Sequence, residues 1–202
     1  FDEKLLLEYG IDPKIPFVLF VGRITRQKGI SQLIAAAKHF NKNCQIVLCA
    51  GAPDTNEIAE ETEALIADLC KERDGVILIS EMLPREKIKV LYSHARVFAC
   101  PSLYEPFGII NLEAMACETA VLATRVGGIP EVVADGNTGK LVNYSGDGAI
   151  LESDLSAAII QLMNEPALLK QYGEAGRKRA AAEFGWPAVA RATLALYQSL
   201  IR

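Results

Sequence analysis

The sequence predicts an α/β fold, a Rossmann-like, doubly wound parallel sheet of about six strands with a helical carboxyl-terminal tail. Two observations carry this. Short apolar runs such as Phe17-Val18-Leu19-Phe20-Val21 and Gln45-Ile46-Val47-Leu48-Cys49 have the length and composition of strands buried on both faces. Between them lie longer segments with apolar residues at helical spacing, the alternation of a parallel sheet built with right-handed crossovers. In such a fold, ligands lie across the carboxyl ends of the strands.

Residues 1–15 form a connecting segment in which Leu5, Leu6, Leu7 and Tyr9 make a short amphipathic stretch closed by Gly10 and Pro13. The first strand ends at Gly22-Arg23, and a helix over 29–40 follows with Ile30, Leu33, Ile34 and Ala37 on one face. The second strand leads through the loop 50–54 to a helix over 56–72. The third, over 76–79, leads through the loop 80–84 to a helix over 85–94. A strand over 97–100 opens onto Glu105-Pro106-Phe107-Gly108-Ile109-Ile110-Asn111-Leu112-Glu113-Ala114-Met115, whose helical spacing puts Ile109, Leu112, Met115 and Ala116 together. A strand over 120–123, a loop over 124–129, a short helix over 130–134 and a strand over 140–142 complete the sheet. Helices over 155–163, 166–182 and 186–201 follow, the last two separated by Phe184-Gly185-Trp186-Pro187, where glycine suits a helix end and proline a helix start. Residues 16–183 read as one domain and 184–202 as a terminal helix.

Composition narrows the function. Half of the 202 residues are apolar and the net charge is −4, so no basic stripe marks a nucleic-acid surface. No apolar run approaches the ~20 residues that span a bilayer, and no membrane partner is expected. The five cysteines, with no C-x-x-C, read as buried thiols in a reducing, cytoplasmic setting. His39 and His94 have no likely ligand near them in sequence, so neither a metal nor a cofactor is expected. The chain begins at Phe1 rather than Met and reads as a fragment whose missing part holds the rest of an active site.

The chemistry concentrates after the fourth strand. Pro106 pushes Glu105 toward extended backbone and into the loop. Gly108 removes a side chain where the helix begins, opening its first amides and its dipole to an anion or a sugar hydroxyl. Glu113 lies ~7 Å further along, at ~1.5 Å per residue. Two carboxylates so spaced, with backbone donors between them, suit a ligand carrying a sugar at one end and a ribose at the other. After the first strand, Gly22-Arg23-Ile24-Thr25-Arg26-Gln27-Lys28-Gly29 lacks the glycine pattern of dinucleotide or P-loop sites. It offers Arg23, able to grip phosphate bidentately, and Lys28 as a point charge. The backbone of Met82 and Leu83, in the loop 80–84, is placed to meet a nucleobase. Gly127-Gly128 reads either as a tight turn or as backbone beside the same crevice.

Glu105 and Glu113, with seven residues between them, resemble the paired glutamates of retaining glycosyltransferases of the two-domain GT-B fold, and Gly22 to Gly29 resembles their phosphate loop. The stretches 49–55, 81–85 and 111–119 resemble bacterial glycogen synthases of the actinobacterial type. The likeness covers only the carboxyl-terminal, donor-binding half of such an enzyme. It implies that Arg23 and Lys28 neutralise the diphosphate leaving group without a metal, and that Glu105 with the Phe107, Gly108 and Ile109 amides holds the transferred sugar. It further implies that Glu113 binds the ribose and that the final helix crosses back to an amino-terminal domain carrying the glucan acceptor. The implied reaction is glucose transfer from ADP-glucose, ahead of UDP-glucose, to an α-1,4-glucan. The alternatives are a mannosyl- or sucrose-type transferase and a non-catalytic nucleotide-binding module. These residues alone are expected to bind nucleotide without turning it over.

Overall fold

The computed structural model describes residues 3–201, so the expectations for Phe1, Asp2 and Arg202 lie outside the described residues. A first helix, α1 (Glu3–Glu8), precedes six parallel strands: β1 (Phe17–Arg23), β2 (Gln45–Gly51), β3 (Val76–Ile79), β4 (Val97–Cys100), β5 (Val121–Thr124) and β6 (Gly139–Val142). They hydrogen-bond in the order β3-β2-β1-β4-β5-β6. The expected six-stranded doubly wound sheet is therefore the fold.

Strand order positions the site. The chain winds outward from β1 to β2 and β3, returns to β4 on the other side of β1, and winds outward again. The loops leaving β1 and β4 thus lie side by side above neighbouring strands, at the switch point where a crevice forms.

Alternation along β1 builds two cores. Val18 and Phe20 face one side, Phe17 and Leu19 the other, and none is more than 2% exposed. The first face is covered by α2 (Ile30–Ala37), α3 (Asn56–Glu72) and α7 (Gly148–Met163); the second by α1, α4 (Arg85–His94), α5 (Ile109–Ala116) and α6 (Ile129–Val132). Helix α8 (Pro166–Glu183) wraps the edge, with Leu169 and Tyr172 in the first core and Ala180 in the second. Helix α9 (Trp186–Leu200) buries none of its residues.

Three local differences from the sequence reading have physical causes. Helix α7 starts at Gly148 because the Asp147 carboxylate accepts from the Ala149 and Ile150 amides, a capping signal the apolar periodicity does not contain. Helix α2 stops at Ala37, short of Phe40. There the Arg73 guanidinium donates to the carbonyls of Ala37 at 2.6 Å, Asn41 at 3.2 Å and Cys44, and stacks 5.8 Å from the Phe40 ring. In α5 the buried residues are Asn111, Ala114 and Met115, whereas Ile109 and Ala116 are exposed. Of the thiols, Cys44, Cys49 and Cys100 are buried as expected, Cys117 is half-buried and Cys70 is exposed; burial pushes the Cys49 thiol up to about 11.

Arg73 is 9% exposed and ties the end of α2 to the turn before β2. Arg73→Ala would leave buried carbonyls without donors and strip the packed stem from Phe40. We expect it to lower unfolding stability by about 2–3 kcal/mol. Urea denaturation read by circular dichroism checks this, and a loss under ~0.5 kcal/mol would count against it.

Candidate functional site

Two loops converge in the crevice. After β1, the Thr25 hydroxyl accepts from the Lys28 amide at 3.2 Å and caps a single 3-10 turn, Arg26–Lys28, which aims the Lys28 side chain toward β4. After β4, Pro106 holds Glu105 out of the coming helix. Lys28 Nζ meets Glu105 Oε2 at 2.6 Å, with the two side chains only 19% and 10% exposed. Ser102 Oγ donates to the same carboxylate oxygen at 3.4 Å, and the Thr124 hydroxyl donates to the Ser102 carbonyl.

Backbone bonds fix the loops to each other. Leu103 N–H donates to the Gln27 carbonyl at 2.8 Å, and Gln27 Nε2 returns a bond to the Tyr104 carbonyl at 3.0 Å. From the third side, Gly128 N–H donates to the Glu105 carbonyl at 3.1 Å. Gly127-Gly128 is thus a tight turn that packs against the backbone of the Glu105 loop. Gly108 sits at φ +93°, a left-handed conformation that releases the chain into α5, and no side chain caps that helix. Of its first amides, that of Asn111 donates to the Gly108 carbonyl at 2.9 Å.

Lys28, Glu105, Phe107, Gly108 and Ile109, all expected in the site, line one cavity of about 330 Å³. Gly22 lies beneath the Lys28 stem, where a side chain would come within 3.9 Å of Lys28 Cγ. The remaining expected residues are dispersed. Arg23 turns to the other flank and pairs with Asp54 at 2.7 Å. Met82 is 89% exposed, while Leu83 belongs to the second core, which leaves only its backbone for a ligand.

Glu113 lies apart from this cavity: its side chain is 36% exposed and faces Arg85 of α4 at 3.9 Å. It borders, with Phe107, Ile109, Tyr92, Phe184 and Trp186, an apolar groove of about 750 Å³ between α4, α5, α8 and α9. Sequence reasoning missed Asp54 and Arg85 as partners. The signal was available for Asp54, since the loops after adjacent strands β1 and β2 must lie side by side. Among the described residues no group of three or more His, Cys, Asp or Glu is placed to hold a metal ion.

A crevice with a lysine–glutamate pair at one wall and an uncapped helix start at the other has the chemistry to take a phosphorylated sugar. The family profile of glycosyl transferases group 1 matches residues 2–179. The chain belongs to the group 1 glycosyl transferases. Alpha-maltose-1-phosphate synthase of Mycolicibacterium smegmatis is similar, 52% identical over 98% of this chain and 52% of its own length. The chain spans about half the length of the curated relatives it matches. Sucrose-phosphate synthase from Thermosynechococcus elongatus has the same fold, with a TM-score of 0.82 and 34% identity over 98% of this chain and 49% of that one. Anabaena HepE, solved with UDP-glucose, superposes with a TM-score of 0.80 over 98% of this chain and 52% of its own, at 21% identity, a likeness of fold. The domain is thus one Rossmann-like half of the GT-B architecture. The resemblance to glycogen synthases stands at the level of this group 1 family, since the two synthases above form other products by name.

Proposed function

We propose that this domain holds a nucleoside diphosphate-glucose and serves, in a longer protein, as the donor half of a retaining glucosyltransferase that forms an α-1,4 link. The observation that carries the reading is the Lys28–Glu105 pair at 2.6 Å beneath the start of α5. In the reaction, the bond between the glucose C1 and the diphosphate oxygen breaks, and an acceptor hydroxyl attacks from the face the diphosphate leaves. A diphosphate oxygen takes the acceptor proton. Lys28, the α5 amides and, after release from Asp54, Arg23 stabilise the departing charge, an effect worth ~3–4 kcal/mol per well-placed donor. Glu105 is a positioning carboxylate, not a nucleophile of the glycosidase kind. Glu113 takes the ribose hydroxyls, and the Met82-Leu83 backbone meets the base.

ADP-glucose ranks ahead of UDP-glucose as donor. The α-1,4-glucan remains an acceptor in this proposal, and the name of the 52% identical relative favours a second one. Maltose 1-phosphate is an α-1,4-linked glucose pair with phosphate at its reducing end, so a nucleotide-glucose donor builds it on glucose 1-phosphate. The acceptor belongs to an amino-terminal domain that also covers α9, whose Trp186 is 86% exposed and Leu200 73% exposed. No described helix is long and apolar enough to cross a membrane, and the proposed setting is the cytoplasm.

The test is calorimetric titration of this domain with ADP and UDP, followed by transfer assays of the longer protein with both donors and both acceptors. We expect nucleotide binding that the Arg23→Ala, Lys28→Ala double variant weakens at least tenfold. No binding by the native domain, or binding indifferent to that double change, would reject the proposal.

A further inference from the structure

Asn111 is the least expected residue in the core. It sits in the first turn of α5, is 0% exposed, and neither Oδ1 nor Nδ2 has a hydrogen-bonding partner among the protein's own groups. A buried carboxamide left unpaired costs ~1–3 kcal/mol, so an apolar residue of the same shape would make the domain more stable. A position that forgoes that stability beneath a binding loop points to a second arrangement in which the amide is used.

The geometry shows which group would use it. A side-chain carbon placed on Gly108 would lie 2.6 Å from Asn111 Nδ2, 3.4 Å from Ile129 Cγ1 and 3.5 Å from Glu105 Cγ, so these three side chains border the same small space at Gly108. In this arrangement Glu105 Oε2 accepts from both Lys28 Nζ at 2.6 Å and Ser102 Oγ at 3.4 Å. A sugar diphosphate changes that balance, because its phosphate oxygens compete for Lys28. Glu105 is 8% exposed, so water cannot take the place of the lysine at low cost. The nearby donor with nothing bound to it is Asn111 Nδ2. The left-handed glycine above it, at φ +93°, gives the loop a residue able to absorb a small rotation.

We infer that Asn111 is a positioning residue for Glu105, an amide held in reserve that takes over the carboxylate when the donor diphosphate draws Lys28 away. The inference rests on the function proposed above and deepens it. Asn111 touches no substrate; it fixes the carboxylate that does. Without it Glu105 still pairs with Lys28 in the empty site but loses its orientation once the donor is in place.

The experiment compares Asn111→Leu, similar in shape but without polar atoms, with the native longer protein. Asn111→Ala, too small to clash with Gly108 or Glu105, is the second variant should leucine misfold. Three readouts are taken: thermal midpoint, ADP affinity, and kcat and KM with the preferred nucleotide-glucose. We expect an equal or higher midpoint for Asn111→Leu, ADP affinity within about threefold of native, and kcat at least tenfold lower with KM little changed. A kcat within twofold of native in either folded variant overturns the inference. So does a loss of ADP affinity as large as the loss of kcat, which would make Asn111 a general prop of the loop. A native protein that binds neither ADP nor UDP overturns the proposed function itself, and the inference falls with it.

Discussion

Gly127→Ala is expected to cost on the order of 3–5 kcal/mol of folding stability and to remove nucleotide binding. Gly127 adopts φ +51°, where a side chain alone costs ~1–2 kcal/mol. The larger cost is steric. A Cβ there would stand 1.9 Å from the Glu105 carbonyl oxygen and 2.9 Å from its carbon, and both are backbone atoms that cannot swing aside as a flexible side chain would. The strain must be relieved by moving either the β5–α6 loop or residue 105 itself. The next residue, Gly128, donates its N–H to that same Glu105 carbonyl at 3.1 Å, so either movement breaks the bond that sets the height of the Glu105 loop. Gly136→Ala separates strain from clash, because Gly136 has φ +74° with nothing within 4 Å of the added carbon. That variant should lose only ~1–2 kcal/mol and bind ADP as before. Urea denaturation and ADP titration of the two variants decide the matter, and equal behaviour would mean that the Gly127 contact relaxes freely.

This dependence of one loop on another explains what the sequence made legible. The paired strands and the helices over 56–72 and 85–94 were readable because each burial face repeats with its own period, and the repeat is printed in the residue order. That Lys28 and Glu105 share one crevice was readable for a different reason, although their ion pair was not. Once the sheet is parallel and reverses at β1, loops from β1 and β4 have nowhere else to go.

Properties that depend on side-chain direction were not readable. Ile109 and Ala116 have the spacing of a core face, yet they point into the apolar groove beside α9, and the core takes Asn111 instead. Periodicity gives the angle between residues around a helix but not the absolute rotation, and a polar residue at a buried position defeats any pattern weighted by hydropathy. The direction of Arg23 was unreadable in the same way. Its place in the chain is right, but its direction follows Asp54, a partner 31 residues later that only the pairing of β1 with β2 brings near. Gly127-Gly128 was readable as a turn, whereas its pressure on the Glu105 backbone is a tertiary fact with no local signature.

Lys28→Ala is expected to reduce transfer by ~10²–10³-fold in the longer protein, the loss typical of deleting one preorganised donor at a developing oxyanion. The same change should destabilise the domain by ~3 kcal/mol, because it leaves the Glu105 carboxylate, 8% exposed, without its cation. These two effects have separate origins and can be pulled apart. Adding Glu105→Gln to Lys28→Ala removes the uncompensated charge, so the double variant should regain at least ~1 kcal/mol of stability while transfer stays at the level of the single variant or below it. Glu105→Gln alone keeps the lysine and its reach toward phosphate. It should bind ADP within a few-fold of native but lose kcat, since the neutral amide no longer competes for Lys28 and no longer holds the sugar. A complete cycle of four proteins, read by urea denaturation, ADP titration and initial rates, checks every term. Were the four equally stable and equally active, the 2.6 Å contact would be an incidental surface pairing and the transfer chemistry would have to lie elsewhere. Glu105 is buried and Lys28 half-buried, so removing either partner alone strands a poorly solvated charge, which is why the single variants should differ from the double one.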